Sequence, residues 1–206
     1  MSPNGQAVIK ILFKMYPSAK CELEYNSAFE LLIAVILSAQ CTDRRVNVVT
    51  KELFKAAPTA QKMAIMDIVK LEKIIYSCGF YKNKAHNIKM TAIDIVERFG
   101  GEVPDSLEEL ISLRGVGRKT ANVVLSEVFG QDAIAVDTHV FRVSKRLGLS
   151  DKNTPNGVEK DLTGMFSNSL SNLHHLLIFH GRYCCHSQKP NCNKCKLTEH
   201  CNWIAS

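Results

Sequence analysis

Leu113-Arg114-Gly115-Val116-Gly117-Arg118-Lys119-Thr120-Ala121-Asn122 is followed by an apolar segment and then by Ala135-Val136-Asp137-Thr138-His139. Two glycines flank one valine between two segments of helical patterning. Ser106 and Glu109 have capping-box spacing, which predicts a helix carrying Leu107, Leu110 and Leu113 on one face. A second helix is expected to start near Arg118 and to carry Ala121, Val124, Leu125, Val128 and Phe129. Gly115 and Gly117 are both expected at positive φ, where the chain turns sharply. Without side chains they leave the N–H donors of the second helix open to an approaching group, and such a terminus attracts phosphate.

Lys119 falls in the first turn of that second helix. The positive end of a helix disfavours a nearby ammonium and favours the neutral amine, the form that attacks carbon. Asp137 precedes Thr138 at an expected helix start, where a carboxylate can take up or steer a proton. Each residue also has an ordinary reading. A lysine at a helix start is commonly solvated, and an aspartate there is commonly a cap.

Outward from this stretch the chain reads as helix after helix. Val8, Ile9, Ile11, Leu12 and Met15 form an amphipathic face that stops before Pro17. Ser27 and Glu30 repeat the capping-box spacing. The segment after them, to about Ala39, is apolar on all sides and predicts a buried central helix, with a strand over Leu31–Leu37 as the rival. Thr42 or Asp43, Asp67, Asn83 and Thr154-Pro155 open further helices. Gly79 is expected to close one of them with positive φ, and Gly100-Gly101 to stop another. No stretch alternates with period two over several strands, so the fold class is all-α.

The 206 residues are 46% apolar and carry a net charge of +6, enough for a core and suited to a polyanionic partner without identifying one. The longest apolar run, Leu31 to Leu37, is too short to span a bilayer, and the N-terminus lacks a signal layout. A cytoplasmic location without membrane attachment is expected. Five of the eight cysteines fall between Cys184 and Cys201. Cys185, Cys192, Cys195 and Cys201 are spaced C-x6-C-x2-C-x5-C, which favours a metal site over disulfides in such a chain. Spacing alone leaves a tetrathiolate zinc site and an iron–sulfur cluster open. Arg182, Lys189, Lys194 and Lys196 surround these cysteines and either grip phosphates or are merely solvated.

The hairpin, Lys119, Asp137 and the cysteine spacing together resemble the endonuclease III family of helix-hairpin-helix DNA glycosylases, from about Ser27 to Cys201. The resemblance implies two α-helical domains with a cleft between them and a C-terminal iron–sulfur loop. A six-helix domain would span residues 21–131, and residues 1–20 with 132–206 would form the other. It also decides the cofactor, a [4Fe-4S] cluster on Cys185, Cys192, Cys195 and Cys201. Cys184 stands outside that ligand set.

By the same resemblance the chain is a bifunctional DNA glycosylase and abasic-site lyase that excises oxidised or ring-saturated pyrimidines in base-excision repair. Lys119 would be the nucleophile and Asp137 its carboxylate partner. Gly115, Val116, Gly117 and Arg118 would hold DNA phosphate, together with Lys189. Gln40 would enter the space left by a flipped nucleotide. Phe80 would wedge into the stack, where relatives commonly carry leucine, or else would cap the core at a helix end. Lys82 and Lys84 would touch phosphate. The expected partner is double-stranded DNA with a damaged base or abasic site, bound by a monomer at the nucleoid. An adenine or thymine mismatch glycosylase of the same fold is the near alternative. Those generally lack the lysine, and the adenine enzymes add a C-terminal domain, whereas this chain stops five residues after Cys201. A DNA-binding module without catalysis is the distant one. Arg114 departs from the proline common before the first hairpin glycine, leaving the turn entry less preset.

Overall fold

A computed structural model describes residues 3–167 and 169–204. Among them there is no strand, and the chain divides into two compact units, residues 22–130 and residues 1–21 with 131–206. No helix among the described residues is long and apolar enough to cross a membrane.

The unit of residues 22–130 contains α2 (Ala28–Ser38), α3 (Asp43–Ala56), α4 (Ala60–Ile65), α5 (Ile68–Ile75), α6 (Tyr81–Phe99), α7 (Leu107–Ser112) and α8 (Arg118–Glu127). Local caps fix where most of them begin. Ser27, Thr42, Thr59, Asp67 and Ser106 each accept from the amide three residues on. The Ser106 hydroxyl also donates to the Glu109 carboxylate at 2.8 Å, whereas the Glu30 carboxylate accepts from the amide of Asn26 at 2.7 Å. The continuous apolar run is the helix α2, not a strand. Phe29 through Leu37 are all buried, as expected for a helix that is apolar all round. Each such leucine or isoleucine contributes about 1.5–3 kcal/mol on burial, so α2 is the hydrophobic axis against which α3, α6 and α8 pack.

The helix α4 was not anticipated. Its cap Thr59 directly follows Pro58, and its six residues are too few to show a period. Gly79 does not carry the positive φ expected of it. That conformation falls on Phe80, at φ 57°, and α6 starts at Tyr81 rather than Asn83. Gly100 and Gly101 do close α6 at φ 61° and 93°.

The other unit contains α1 (Pro3–Met15), α9 (Thr138–Arg146), α10 (Pro155–Met165) and α11 (Leu170–Tyr183), followed by 3-10 turns at Cys192–Lys194 and Thr198–His200. Thr154 caps α10 with Pro155 at its first position. Val8 and Leu12 of α1, Val140 and Val143 of α9, Leu162 of α10 and Leu173 and Leu177 of α11 share one core. Leu197 belongs to the same core and pins the cysteine segment to it.

Candidate active site

The hairpin between α7 and α8 is held against α6. The Thr91 hydroxyl of α6 donates to the Arg114 carbonyl, and the Arg114 amide donates to Asp94 at 3.4 Å. Gly115 has φ 74°, and a Cβ there would stand 2.8 Å from the Cβ of Asn87. Both conformation and space therefore require glycine. Val116 is buried and faces the core, so only its backbone is available to a ligand. Gly117 corrects the expectation of a second positive φ. It lies at φ −95° as the N-cap of α8, and a Cβ there would meet nothing within 4 Å. Its value is the open approach it leaves to a helix end that no side chain caps.

Arg118 and Lys119 are exposed in the first turn of α8. The Lys119 amine thus sits on an open helix end, directly behind the hairpin. Asp137 caps α9 and accepts from the Val140 amide at 2.7 Å. The cap uses one of its two carboxylate oxygens. His139 is half-buried, and burial holds its imidazole below the ordinary range despite the opposing pull of Asp137.

Gln40, Phe80 and Lys189 are the non-glycine residues with positive φ among the described residues, at 53°, 57° and 47°. All three are exposed, and all three are residues singled out above for DNA. Ala39 at φ −57° and ψ 115°, with Gln40 at positive φ and the Cys41 amide on the Ser38 carbonyl at 3.1 Å, makes a type II turn. That turn favours glycine or asparagine where Gln40 stands. Backbone held in a costly conformation at exposed side chains points to a use for those side chains. Phe80 is 67% exposed, so it does not cap the core.

Lys82 is exposed, as a phosphate contact requires. Lys84 is not. It is buried, and its ammonium donates to the carbonyls of Leu37 and Ala39 at 2.8 and 2.6 Å. Burial holds its charge below the ordinary lysine range. Lys84 is therefore a strut that shapes the Gln40 turn, and the expectation that it touches phosphate is corrected.

Cys185, Cys192, Cys195 and Cys201 are unbridged and line one small cavity with Cys184, Arg146 and His180. Arg146 donates to the Cys185 sulfur at 3.3 Å, and the Leu197 amide donates to the Cys195 sulfur at 3.4 Å. Donors aimed at sulfur suit thiolates, so the four residues fit a metal cluster. Cys184 is buried, and burial together with the Cys195 thiol pushes its own thiol up to about 12. Ligand atoms of His180, Cys184 and Cys195 do lie within 4.8 Å of one another, a mixed set suited to a single ion.

The pattern reading missed the arginines of α9. Arg142 donates to the carbonyls of Cys185 and Gly181 at 3.1 and 2.9 Å. Arg146 donates to the carbonyls of His186 and Ser187 at 2.7 and 3.2 Å and lies 4.4 Å over the Trp203 ring. Their spacing of four residues on one helix face was the available signal.

Residues 33–167 match the model of the HhH-GPD superfamily base excision DNA repair proteins. Endonuclease III of Bacillus subtilis is 50% identical over 189 residues, 91% of this chain and 86% of that protein. Endonuclease III of Synechocystis is 47% identical over 196 residues, 94% of this chain and 90% of that protein. The solved structure of a trapped endonuclease III–DNA covalent intermediate superposes with a TM-score of 0.94 at 46% identity, covering 100% of this chain and 98% of the other. A thermostable thymine-DNA glycosylase, 20% identical with a TM-score of 0.88 over 98% of this chain and 97% of its own, shares the fold. An uncapped hairpin end with a lysine behind it, a capping aspartate and a four-thiol loop are thus features of a chain that belongs to the endonuclease III family of base-excision repair enzymes.

Proposed function

We propose that this DNA glycosylase and abasic-site lyase removes oxidised or ring-saturated pyrimidines from duplex DNA with Lys119 as its nucleophile. The observation that carries the reading is the exposed Lys119 in the first turn of α8, behind an open hairpin end. The hairpin amides around Gly115, Val116 and Gly117, with Arg118, take a phosphate of the strand and bring the chain into register. The target nucleotide leaves the stack, Gln40 enters the vacated space, and Phe80 wedges the neighbouring step. Ring-saturated bases stack poorly, which lowers the cost of extrusion.

The Lys119 amine attacks C1′ through its nitrogen lone pair as the bond to the base breaks, and the base leaves as an anion that takes a proton from water. Asp137 receives the proton lost by the amine or stabilises charge at the sugar through its oxygen not used in the cap. The nitrogen then expels the ring oxygen and forms a Schiff base. Loss of a C2′ proton eliminates the 3′ phosphate, and hydrolysis returns the free lysine. Lys82 and Lys189 add phosphate contacts that carry no sequence information.

Cys185, Cys192, Cys195 and Cys201 hold a [4Fe-4S] cluster, which supplies closure of the tail rather than a step in base removal. The chain works as a monomer in the cytoplasm, at the nucleoid. Borohydride trapping on duplex DNA with one abasic site tests the nucleophile. Wild type gives a covalent adduct and Lys119→Gln gives none. An equal adduct with Lys119→Gln overturns the assignment. A panel of oligonucleotides with single lesions, scored for base release and strand cutting, tests the substrate class. Visible absorption of the purified chain separates iron–sulfur from zinc.

A further inference from the structure

Two cysteines outside the C-terminal loop occupy adjoining turns of residues 22–130. Cys41 ends the type II turn that presents Gln40, and Cys78 lies two residues before Phe80. The turns touch: a Cβ on Gly79 would stand 3.5 Å from the Gln40 carbonyl oxygen. Lys84 holds the first turn against the start of α6 through its two carbonyl contacts. After burial, Cys41 is the neighbour that acts most on the Cys78 thiol. Cys41 is partly open to solvent, whereas Cys78 is buried at 1% exposure. Lys84 and Arg45 place positive charge beside them.

We propose that Cys41 and Cys78 form a peroxide-driven disulfide that ties the Gln40 turn to the Phe80 turn. The accessible Cys41 thiolate attacks one oxygen of hydrogen peroxide, giving sulfenic acid and, after uptake of a proton, water. The Cys78 sulfur then displaces the sulfenic hydroxyl. The S–S bond forms, the Cys78 proton leaves with the hydroxyl as a second water, and two thiols have been oxidised by one peroxide. A dithiol reductant reverses the bond. Disulfides in reducing compartments are commonly of this transient kind. The consequence for DNA rests on the reading of Gln40 and Phe80 given above. The link fixes the spacing of two side chains that must enter the duplex together, so it weakens engagement of an abasic site.

The test treats the purified chain with hydrogen peroxide, blocks remaining thiols in denaturant and digests it with trypsin without reduction. The expected product joins residues 21–44 to residues 74–82 through Cys41 rather than Cys21, and dithiothreitol separates it. In Cys78→Ala the link is absent and dimedone labels Cys41. Absence of the linked peptide, linkage through Cys21, or failure of dimedone to label Cys41 in Cys78→Ala overturns the couple. The C-terminal cysteines report their own state in the same digest. Fluorescence anisotropy on a duplex with a tetrahydrofuran abasic analogue reads the effect on DNA. Oxidised wild type binds about tenfold more weakly than reduced, and Cys41→Ser keeps its affinity through the same treatment. An equal loss in Cys41→Ser overturns the restraint. A reduced wild type that binds abasic and undamaged duplex alike defeats the functional reading, whereas the linkage is judged by the peptide alone.

Discussion

The Lys84 ammonium donates to the Ala39 carbonyl at 2.6 Å, across 45 residues of sequence. Together with the bond to Leu37 it replaces hydration for a carbonyl pair at the end of the central helix. A basic residue in the first turn of α6 thus serves the protein's own backbone. Lys84→Met removes the donor and leaves those carbonyls underserved. We expect a loss of about 1–3 kcal/mol in thermal or denaturant unfolding. Lys82→Ala, at an exposed site, is expected to leave unfolding unchanged while lowering the salt slope of DNA binding by about one.

Gly115 and Gly117 are expected to respond differently to alanine. At Gly115 the substitution meets both φ 74° and Asn87 at 2.8 Å. It should destabilise the protein by about 1–3 kcal/mol. At Gly117, with φ −95° and open space, alanine should move the melting temperature little. A methyl group there still obstructs a phosphate, so abasic-site affinity should fall about tenfold. Paired melting and anisotropy measurements separate the two effects.

Phe80 combines a left-handed backbone with 67% exposure. Phe80→Gly relieves the backbone and is expected to stabilise the chain by about 1 kcal/mol. It also deletes the wedge, so kcat/KM on a lesion duplex should drop. Phe80→Leu should retain most activity. An active, more stable Phe80→Gly protein would show that the ring has no part in DNA engagement.

His139 is held below its ordinary value of 6.5, chiefly by burial. The unfolded chain therefore binds a proton that the folded chain resists. The stability this group contributes is present above 6.5 and declines as pH falls through and below it. Melting temperature measured between roughly pH 7.5 and 5.5 should decline in wild type and decline less in His139→Asn. Parallel curves for the two proteins would contradict the assignment.

The fold was legible wherever its cause was local. Ser106, Asp137 and Thr154 are read as caps because their partners lie three residues away. The buried axis α2 was legible because an uninterrupted apolar segment after a cap has few other places to go. Lys84 was illegible as a structural group for the opposite reason, and the spacing of Arg142 and Arg146 marks a shared helix face without marking what that face grips. Their acceptors are main-chain carbonyls some forty residues distant, and carbonyls leave no mark in a sequence. The positive φ misassigned to Gly79 and Gly117 has a related origin. Glycine permits that conformation without requiring it, and here it falls on Phe80, the residue that leads into α6.

Helix α9 carries Asp137 at one end, and Arg142 and Arg146 farther along it grip the cysteine segment. Nine residues at about 1.5 Å each make a rod of roughly 13 Å. Clipping the tail within that segment would take Cys185, His186 and Ser187 away from these guanidinium groups and leave α9 held by Val140 and Val143. A protease nick near the carboxyl terminus would thus loosen the last turns of this rod while its apolar side stays packed.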